Sequence, residues 1–126
     1  MRKKVLLVDD NATIREAVRP LFDSHPKFVV CGEAEDGCEA IEKAPRLRPE
    51  LIVIDMSMPV MNGLDAAPLL IKILPHVWLI LLTTHDFPEL CQLARSAGIH
   101  AVVQKSKAVT HLIAQAEALI DMAAWP

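Results

Sequence analysis

The sequence predicts an α/β fold, an open sheet of five parallel strands with helices on both faces. Two observations lead there. Four short apolar runs are continuous instead of alternating, as strands covered on both faces require. Stretches with helical spacing separate them, so strand and helix alternate along 126 residues, the length of one ordinary domain.

The first run, Val5-Leu6-Leu7-Val8, precedes a helical stretch, Ala12 to Ser24, that the Asn11 side chain can cap. A fifth run, Phe28-Val29-Val30-Cys31, is shorter and more mixed. It leads into Gly37 to Leu47, with Asp36 as the cap. Leu51-Ile52-Val53-Ile54 leads to Leu64–Leu74, Val77–Leu82 to Pro88–Ala97, and Ala101-Val102-Val103 to Lys107–Ala123. Asp86 is the expected cap of the fourth helix. Gly98 is its expected end, in the left-handed conformation that costs glycine no Cβ clash. In the fifth helix Val109, Leu112, Ile113, Ala116 and Ile120 are expected to share the buried face. Pro20 falls inside the first helical pattern, where a proline costs about 3 kcal/mol, and predicts a kink. Pro68 is expected within the first turn of the third helix, where it is harmless.

Short connections with right-handed crossovers give the five strands a flavodoxin-like order, 2-1-3-4-5. Ligands of such sheets bind beyond the carboxyl ends of the strands.

Composition narrows the function. The chain is 52% hydrophobic and 23% charged, with 13 Lys plus Arg against 16 Asp plus Glu. That balance excludes a disordered tail and offers no broad cationic face for nucleic acid. The three cysteines, Cys31, Cys38 and Cys91, form no CxxC pair and are expected to be reduced and mostly buried, which makes a cytoplasmic setting the default. Val5–Val8 is too short for a signal peptide. Leu69–Leu82 holds Lys72, Pro75 and His76 and falls short of a membrane span, so no membrane role is expected.

The strand ends carry the chemistry. The first strand ends in Asp9-Asp10, the third in Asp55, the fourth in Thr83-Thr84, and the fifth runs into Lys105. Three carboxylates gathered in one crevice repel one another unless a cation sits among them, and hard oxygen donors suit Mg2+. Magnesium takes one or two carboxylates and accepts oxygens from a phosphoryl group, so the edge reads as a phosphate site with a metal. Asp55, alone and central, is the candidate nucleophile toward phosphorus. Lys105 would stabilise charge on the transferring group, and the Thr83 hydroxyl could donate to one of its oxygens.

Val8-Asp9-Asp10-Asn11, Asp55-Met56-Ser57-Met58-Pro59, Met61-Asn62-Gly63-Leu64, Thr83 and Lys105 resemble the signposts of bacterial two-component response regulator receiver domains, which have a CheY-like fold. The resemblance runs from Val5 to about Ile120. Phe28 to Ala34 with Asp36-Gly37, and Arg48-Pro49-Glu50, are similar to the NarL-type (LuxR/FixJ-like) branch, whose receivers usually precede a helix-turn-helix domain. The resemblance implies that Asp55 accepts a phosphoryl group from a sensor histidine kinase and that Asp10 binds Mg2+ directly. Asp9 would help to hold the ion, the Ser57 carbonyl would complete the metal ligands with Asp55, and Thr83 and Lys105 would contact the phosphoryl group. It further implies partner or dimer affinity that changes with phosphorylation, a homodimer among the partners, and DNA binding only through an output domain. Residues 1–126 are expected to form a single receiver domain without one.

The chain departs from the family pattern at three places. Val102 stands where an aromatic switch residue is usual, Ser106 where proline often follows the lysine, and Thr84 where a small residue is usual. His85 lies where the family tunes hydrolysis. The expected result is retained chemistry with altered output coupling. The alternative is a pseudo-receiver, an interaction module with altered or lost switching. A haloacid-dehalogenase-type phosphatase wants Asp where Ser57 stands, and a flavodoxin wants an uncharged first loop where Asp9-Asp10-Asn11 stands. The five histidines show no metal-ligand spacing, Trp78 is expected in the core, and the role of Trp125 stays open.

Overall fold

A computed structural model describes residues 1–123, so Trp125 lies outside the described residues. The elements are β1 (Lys3–Val8), α1 (Ala12–Asp23), β2 (Phe28–Ala34), α2 (Gly37–Leu47), β3 (Leu51–Asp55) and α3 (Gly63–Ile73). They continue with β4 (Trp78–Thr83), α4 (Leu90–Ser96), β5 (Ala101–Gln104), a 3-10 turn (Lys105–Lys107) and α5 (Ala108–Ala123). The strands form one parallel sheet in the order β2-β1-β3-β4-β5, as the sequence predicts.

The continuous apolar runs have a simple cause. Val5, Leu7, Leu51, Val53, Ile80 and Leu82 face one core with Val18 and Phe22 of α1 and Leu112, Ala116 and Leu119 of α5. The alternate residues Leu6, Val8, Ile52, Ile54, Leu79 and Leu81 face another, with Ala40 and Ala44 of α2, Ala66, Ala67 and Leu70 of α3, and Leu90 and Ala94 of α4. Each fully buried Leu, Ile or Phe contributes about 1.5–3 kcal/mol of transfer free energy. Phe22 and Phe28 meet edge to face at 5.2 Å, adding about 0.5–1.5 kcal/mol.

Caps form where short polar side chains can reach free N–H groups. Asn11 accepts from Thr13 N–H at 2.9 Å, and Asp36 from Glu39 N–H at 2.8 Å. Asn62, which the sequence reading passed over, accepts from Asp65 N–H at 2.8 Å. Gly98 follows α4 at φ +92, the left-handed conformation expected of it.

Several expectations fail for local reasons. Asp86 does not cap α4. Leu90 N–H bonds to the Phe87 carbonyl, closing a turn over Pro88-Glu89, and the helix begins only there. Pro68 is sixth in α3 and not in its first turn, because the Asn62 cap starts the helix at Gly63. Pro20 does not belong with these: α1 runs through that exposed residue to Asp23, and the carbonyl it leaves unserved belongs to exposed Glu16. Val109 is 74% exposed, and the inward face of α5 is Ala108, Leu112, Ala116 and Leu119, one residue around the helix from the expected start. Cys38 and Cys91 are exposed and only Cys31 is half-buried. Trp78 packs at the margin of the core, its ring 4.6 Å from that of His100, whose Nδ1 accepts from Leu79 N–H.

Gly63 fixes how α3 meets the end of β3. Its N–H donates to the Met56 carbonyl at 3.2 Å, and a Cβ there would strike the Asp55 carbonyl oxygen and lie 3.0 Å from Leu81 Cδ1. Backbone cannot step aside as a side-chain end can. Gly63→Ala is therefore expected to cost about 1–3 kcal/mol, read as a lower denaturation midpoint at unchanged slope.

Candidate functional site

Four strands end at one rim. β1 delivers Asp9 and Asp10, β3 delivers Asp55, β4 ends at Thr83, and Lys105 follows β5 at the start of the 3-10 turn. Asp9, Asp55 and Thr83 are the only buried polar or charged residues among those described. A cleft of about 390 Å³ opens elsewhere, between Lys3, Arg48, Glu50, Pro75, Trp78 and Ile120 at the opposite edge of the sheet. It holds no carboxylate cluster among the described residues, so volume alone would mislead.

Lys105 Nζ lies 3.1 Å from Asp55 Oδ2 and 3.1 Å from Asp9 Oδ2. The remaining oxygens take backbone donors. Asp9 Oδ1 accepts from Asn11 N–H at 2.9 Å, and Asp55 Oδ1 from Ser57 N–H at 3.3 Å. Although close to the ammonium, Asp9 Oδ2 is buried without an aligned hydrogen bond. Asp10 is exposed, and one carboxylate oxygen each from Asp9, Asp10 and Asp55 lie within 4.8 Å of one another.

One ammonium cannot neutralise three carboxylates. Burial lifts the Asp55 carboxyl above its ordinary pKa and the charge of Asp9 pushes the same way, against the pull of Lys105. Burial works against the Lys105 ammonium too, but its ion pairs with Asp55 and Asp9 prevail and hold its pKa above the ordinary value. The lysine gains from two partners while each carboxylate has half a counter-ion. The donor set fits a hard divalent cation: three oxygens in reach, excess negative charge, and a buried oxygen on Asp9 without a hydrogen-bond donor.

Thr83 stands next to the site, since β4 pairs with β3 so that Leu82 faces Asp55. It makes no hydrogen bond to Asp55 among the described residues. Its hydroxyl accepts from His85 N–H at 2.9 Å, and its own proton meets only Met56 Sδ at 3.7 Å and the His85 carbonyl at 3.4 Å. Ser57 is exposed and reaches Asp55 through its N–H.

Two neighbours went unread in the sequence. Gln104 touches the Thr83 loop, as Met56 of the Asp55 motif does, and Arg15 holds the Asp9 turn. Arg15 Nη1 donates to the Asp9 carbonyl at 2.6 Å and its Nε to Glu33 Oε1 at 2.8 Å, while Arg19 takes Glu33 Oε2 at 2.6 Å. Burial alone would raise the Glu33 carboxyl, but the two guanidinium groups hold it below its ordinary pKa. A signal for Gln104 existed: it is the polar end of an otherwise apolar strand. Arg15→Ala is expected to cost about 1–3 kcal/mol through the buried carbonyl it strands. It should also weaken divalent-ion binding, read by calorimetric titration.

The description "response regulator receiver domain" matches residues 5–117. The chain belongs to that family. This receiver domain is 38% identical over 106 residues to a protein-glutamate methylesterase/protein-glutamine glutaminase of Saccharophagus degradans, a match covering 82% of the chain and 30% of that protein. Its curated relatives are longer, and the receiver spans between 20% and 30% of the length of two of them. Among solved structures it superposes on the response regulator domain of Thermotoga maritima CheB with a TM-score of 0.87 at 28% identity, covering 96% of this chain and 98% of that one. A LuxR-family two-component response regulator from Aurantimonas gives 0.90 at 26% identity, covering 96% and 86%. The receiver domain is thus the receiver of a two-component response regulator, with the CheY-like fold. None of its helices, among the described residues, is long and apolar enough to cross a membrane.

Proposed function

We propose that Asp55 accepts a phosphoryl group from the phosphohistidine of a sensor histidine kinase, in a Mg2+-dependent reaction that changes partner or dimer affinity. The observation that carries this is Lys105 Nζ at 3.1 Å from both Asp9 Oδ2 and Asp55 Oδ2, an arrangement that leaves surplus negative charge around one nucleophile.

An Asp55 carboxylate oxygen attacks phosphorus, the P–O bond forms as the P–N bond breaks, and the imidazole leaves with the electron pair and takes up a proton. Asp9, Asp10, Asp55 and the Ser57 carbonyl would hold Mg2+. Bound there, the ion supplies neutralisation of the carboxylates and of the phosphoryl oxygens. Lys105 releases its hold on Asp55 as that carboxylate becomes an acyl phosphate and turns its charge to the phosphoryl oxygens. The Thr83 hydroxyl, whose proton has only poor acceptors, takes another phosphoryl oxygen.

The reaction is self-catalysed, and slow hydrolysis restores Asp55. We read residues 1–126 as one receiver domain placed in the cytoplasm with its kinase, acting on DNA only through an output domain. The NarL-type motifs and the likeness to a LuxR-family regulator support that branch, while the CheB likeness is one of overall fold and is not confined to it.

Intact mass after incubation with a small phosphodonor tests the reading. One phosphoryl group is expected with Mg2+ and none after chelation. No uptake with Mg2+ present overturns the proposal in favour of the pseudo-receiver.

A further inference from the structure

The loop after β4 is attached to the sheet in an unusual way. Thr84, His85 and Asp86 make no backbone-to-backbone hydrogen bond outside the strands and helices among the described residues. Two side chains from neighbouring strand ends hold the loop instead, and both grip His85. Thr83 Oγ1 accepts from the His85 N–H at 2.9 Å, and Gln104 Nε2 donates to the His85 carbonyl at 3.0 Å. The register explains why they meet on one residue, because Thr83 pairs directly with Gln104 between β4 and β5. The orientation of the amide follows as well, since only its nitrogen can face a carbonyl.

The two grips differ in what else they can do. Gln104 makes no hydrogen bond to Asp9, Asp10 or Asp55. Thr83 lies on the strand beside Asp55 and carries a proton with no good acceptor, because the His85 carbonyl at 3.4 Å is already served by Gln104 and Met56 Sδ at 3.7 Å is a weak partner. A strong new acceptor on Asp55 therefore draws the Thr83 hydroxyl toward itself. Turning about χ1 carries the oxygen away from the His85 N–H, and the loop then hangs from Gln104 alone. Val102, which pairs with Leu81 inside the sheet, has no polar atom with which to take part.

We propose that Gln104 is the positioning residue of the output loop, a pivot that keeps the His85 carbonyl while Thr83 lets go of the His85 N–H. The inference rests on the reading of Asp55 as phosphoryl acceptor. With the pivot in place, occupation of the site rotates Thr84-His85-Asp86 about one fixed bond and presents their exposed side chains in a second, defined orientation. Without it, occupation detaches the loop. Gln104 would thereby decide whether a partner meets one ordered surface or a loose one, and it would do so without touching the reacting atoms.

The test uses Gln104→Leu, which keeps similar bulk in a side chain one atom shorter and loses the donor, with beryllofluoride and Mg2+ as the phosphoryl probe. Amide exchange and line shapes of Thr84, His85 and Asp86 are followed by NMR in the parent and the variant, with and without the probe. In the parent, the probe should raise exchange at His85 and leave the three amides in one shifted, sharp set. In the variant with the probe, that single sharp set should be lost, the three amide signals broadening and splitting, because the loop then has neither grip.

Phosphoryl uptake by mass is measured on both proteins in parallel. Uptake in both, with the probe leaving one sharp set of loop amides in each, overturns the pivot and leaves the phosphoryl reading standing. Failure of uptake in the parent overturns that reading itself. Gln104→Glu, which keeps the shape and reverses the polarity toward the carbonyl, should match Gln104→Leu. One sharp set of loop amides in Gln104→Glu with the probe would also overturn the pivot.

Discussion

Lys105→Met is expected to destabilise the metal-free protein by about 3–5 kcal/mol at neutral pH, the loss that follows when one partner of a buried ion pair is removed. Asp9 and Asp55 are 3% and 4% exposed and share that one ammonium, so its removal leaves two desolvated carboxylates facing each other. Methionine fills the stem's volume, which separates the charge effect from a packing defect. The deficit should shrink as pH falls toward the carboxylate range, because protonation then relieves the repulsion. It should shrink as well when Mg2+ is added, so the rise in Tm on adding Mg2+ is expected to be larger in the variant than in the parent. Thermal unfolding at several pH values, with Mg2+ and with chelator, checks all three statements, and an unchanged metal-free Tm would remove the role assigned to Lys105.

Asp55→Asn is expected to take up no phosphoryl group at all, since the amide offers no nucleophilic oxygen, and yet to be the more stable protein without metal. The sign follows from linkage. Burial first, and the Asp9 charge next, raise the Asp55 carboxyl above its ordinary value despite Lys105. A carboxyl raised on folding binds protons in the folded chain that the unfolded chain has already released. Its contribution to stability is therefore complete below the ordinary carboxylate value, about pH 4, and is lost as pH rises through the raised value. Asparagine does not titrate and can still accept from Ser57 N–H, so the variant should gain on the parent by on the order of 1 kcal/mol across that window. Mg2+ should narrow the gap, because it stabilises the parent's carboxylate. Urea midpoints at pH 4 and pH 7 measure the difference. A variant that loses ground as pH rises would show that Lys105 outweighs burial.

The value of Gly63 shows how a motif can be visible before its reason is. Its place after Asn62 is plain in the sequence, but the need for glycine arises because the first residue of α3 lies against the Asp55 carbonyl, eight residues and one loop away. Arg15 and Gln104 were illegible for the same kind of reason. An arginine in a helix and a glutamine at a strand end are ordinary surface residues until folding sets them on the Asp9 and His85 carbonyls. Val109 erred in the other direction. Helical periodicity gives the width of an apolar stripe, but which edge of that stripe turns inward depends on how α5 lies on Val103, Ile80 and the α1 side chains.

What the sequence by itself determined is the order of elements, the parallel sheet and the set of groups at its carboxyl rim. Apolar runs long enough to be covered on both faces admit few alternatives, and strand ends are easy to find once the runs are found. The tertiary structure alone decided which of those groups touch. It put one ammonium between two buried carboxylates, left Asp10 outside in solvent, and turned the Thr83 hydroxyl to the His85 loop instead of to Asp55. The reason is that hydrophobic periodicity fixes which face a residue takes, whereas hydrogen bonds and ion pairs depend on distances of a few tenths of an ångström that only the packed chain sets.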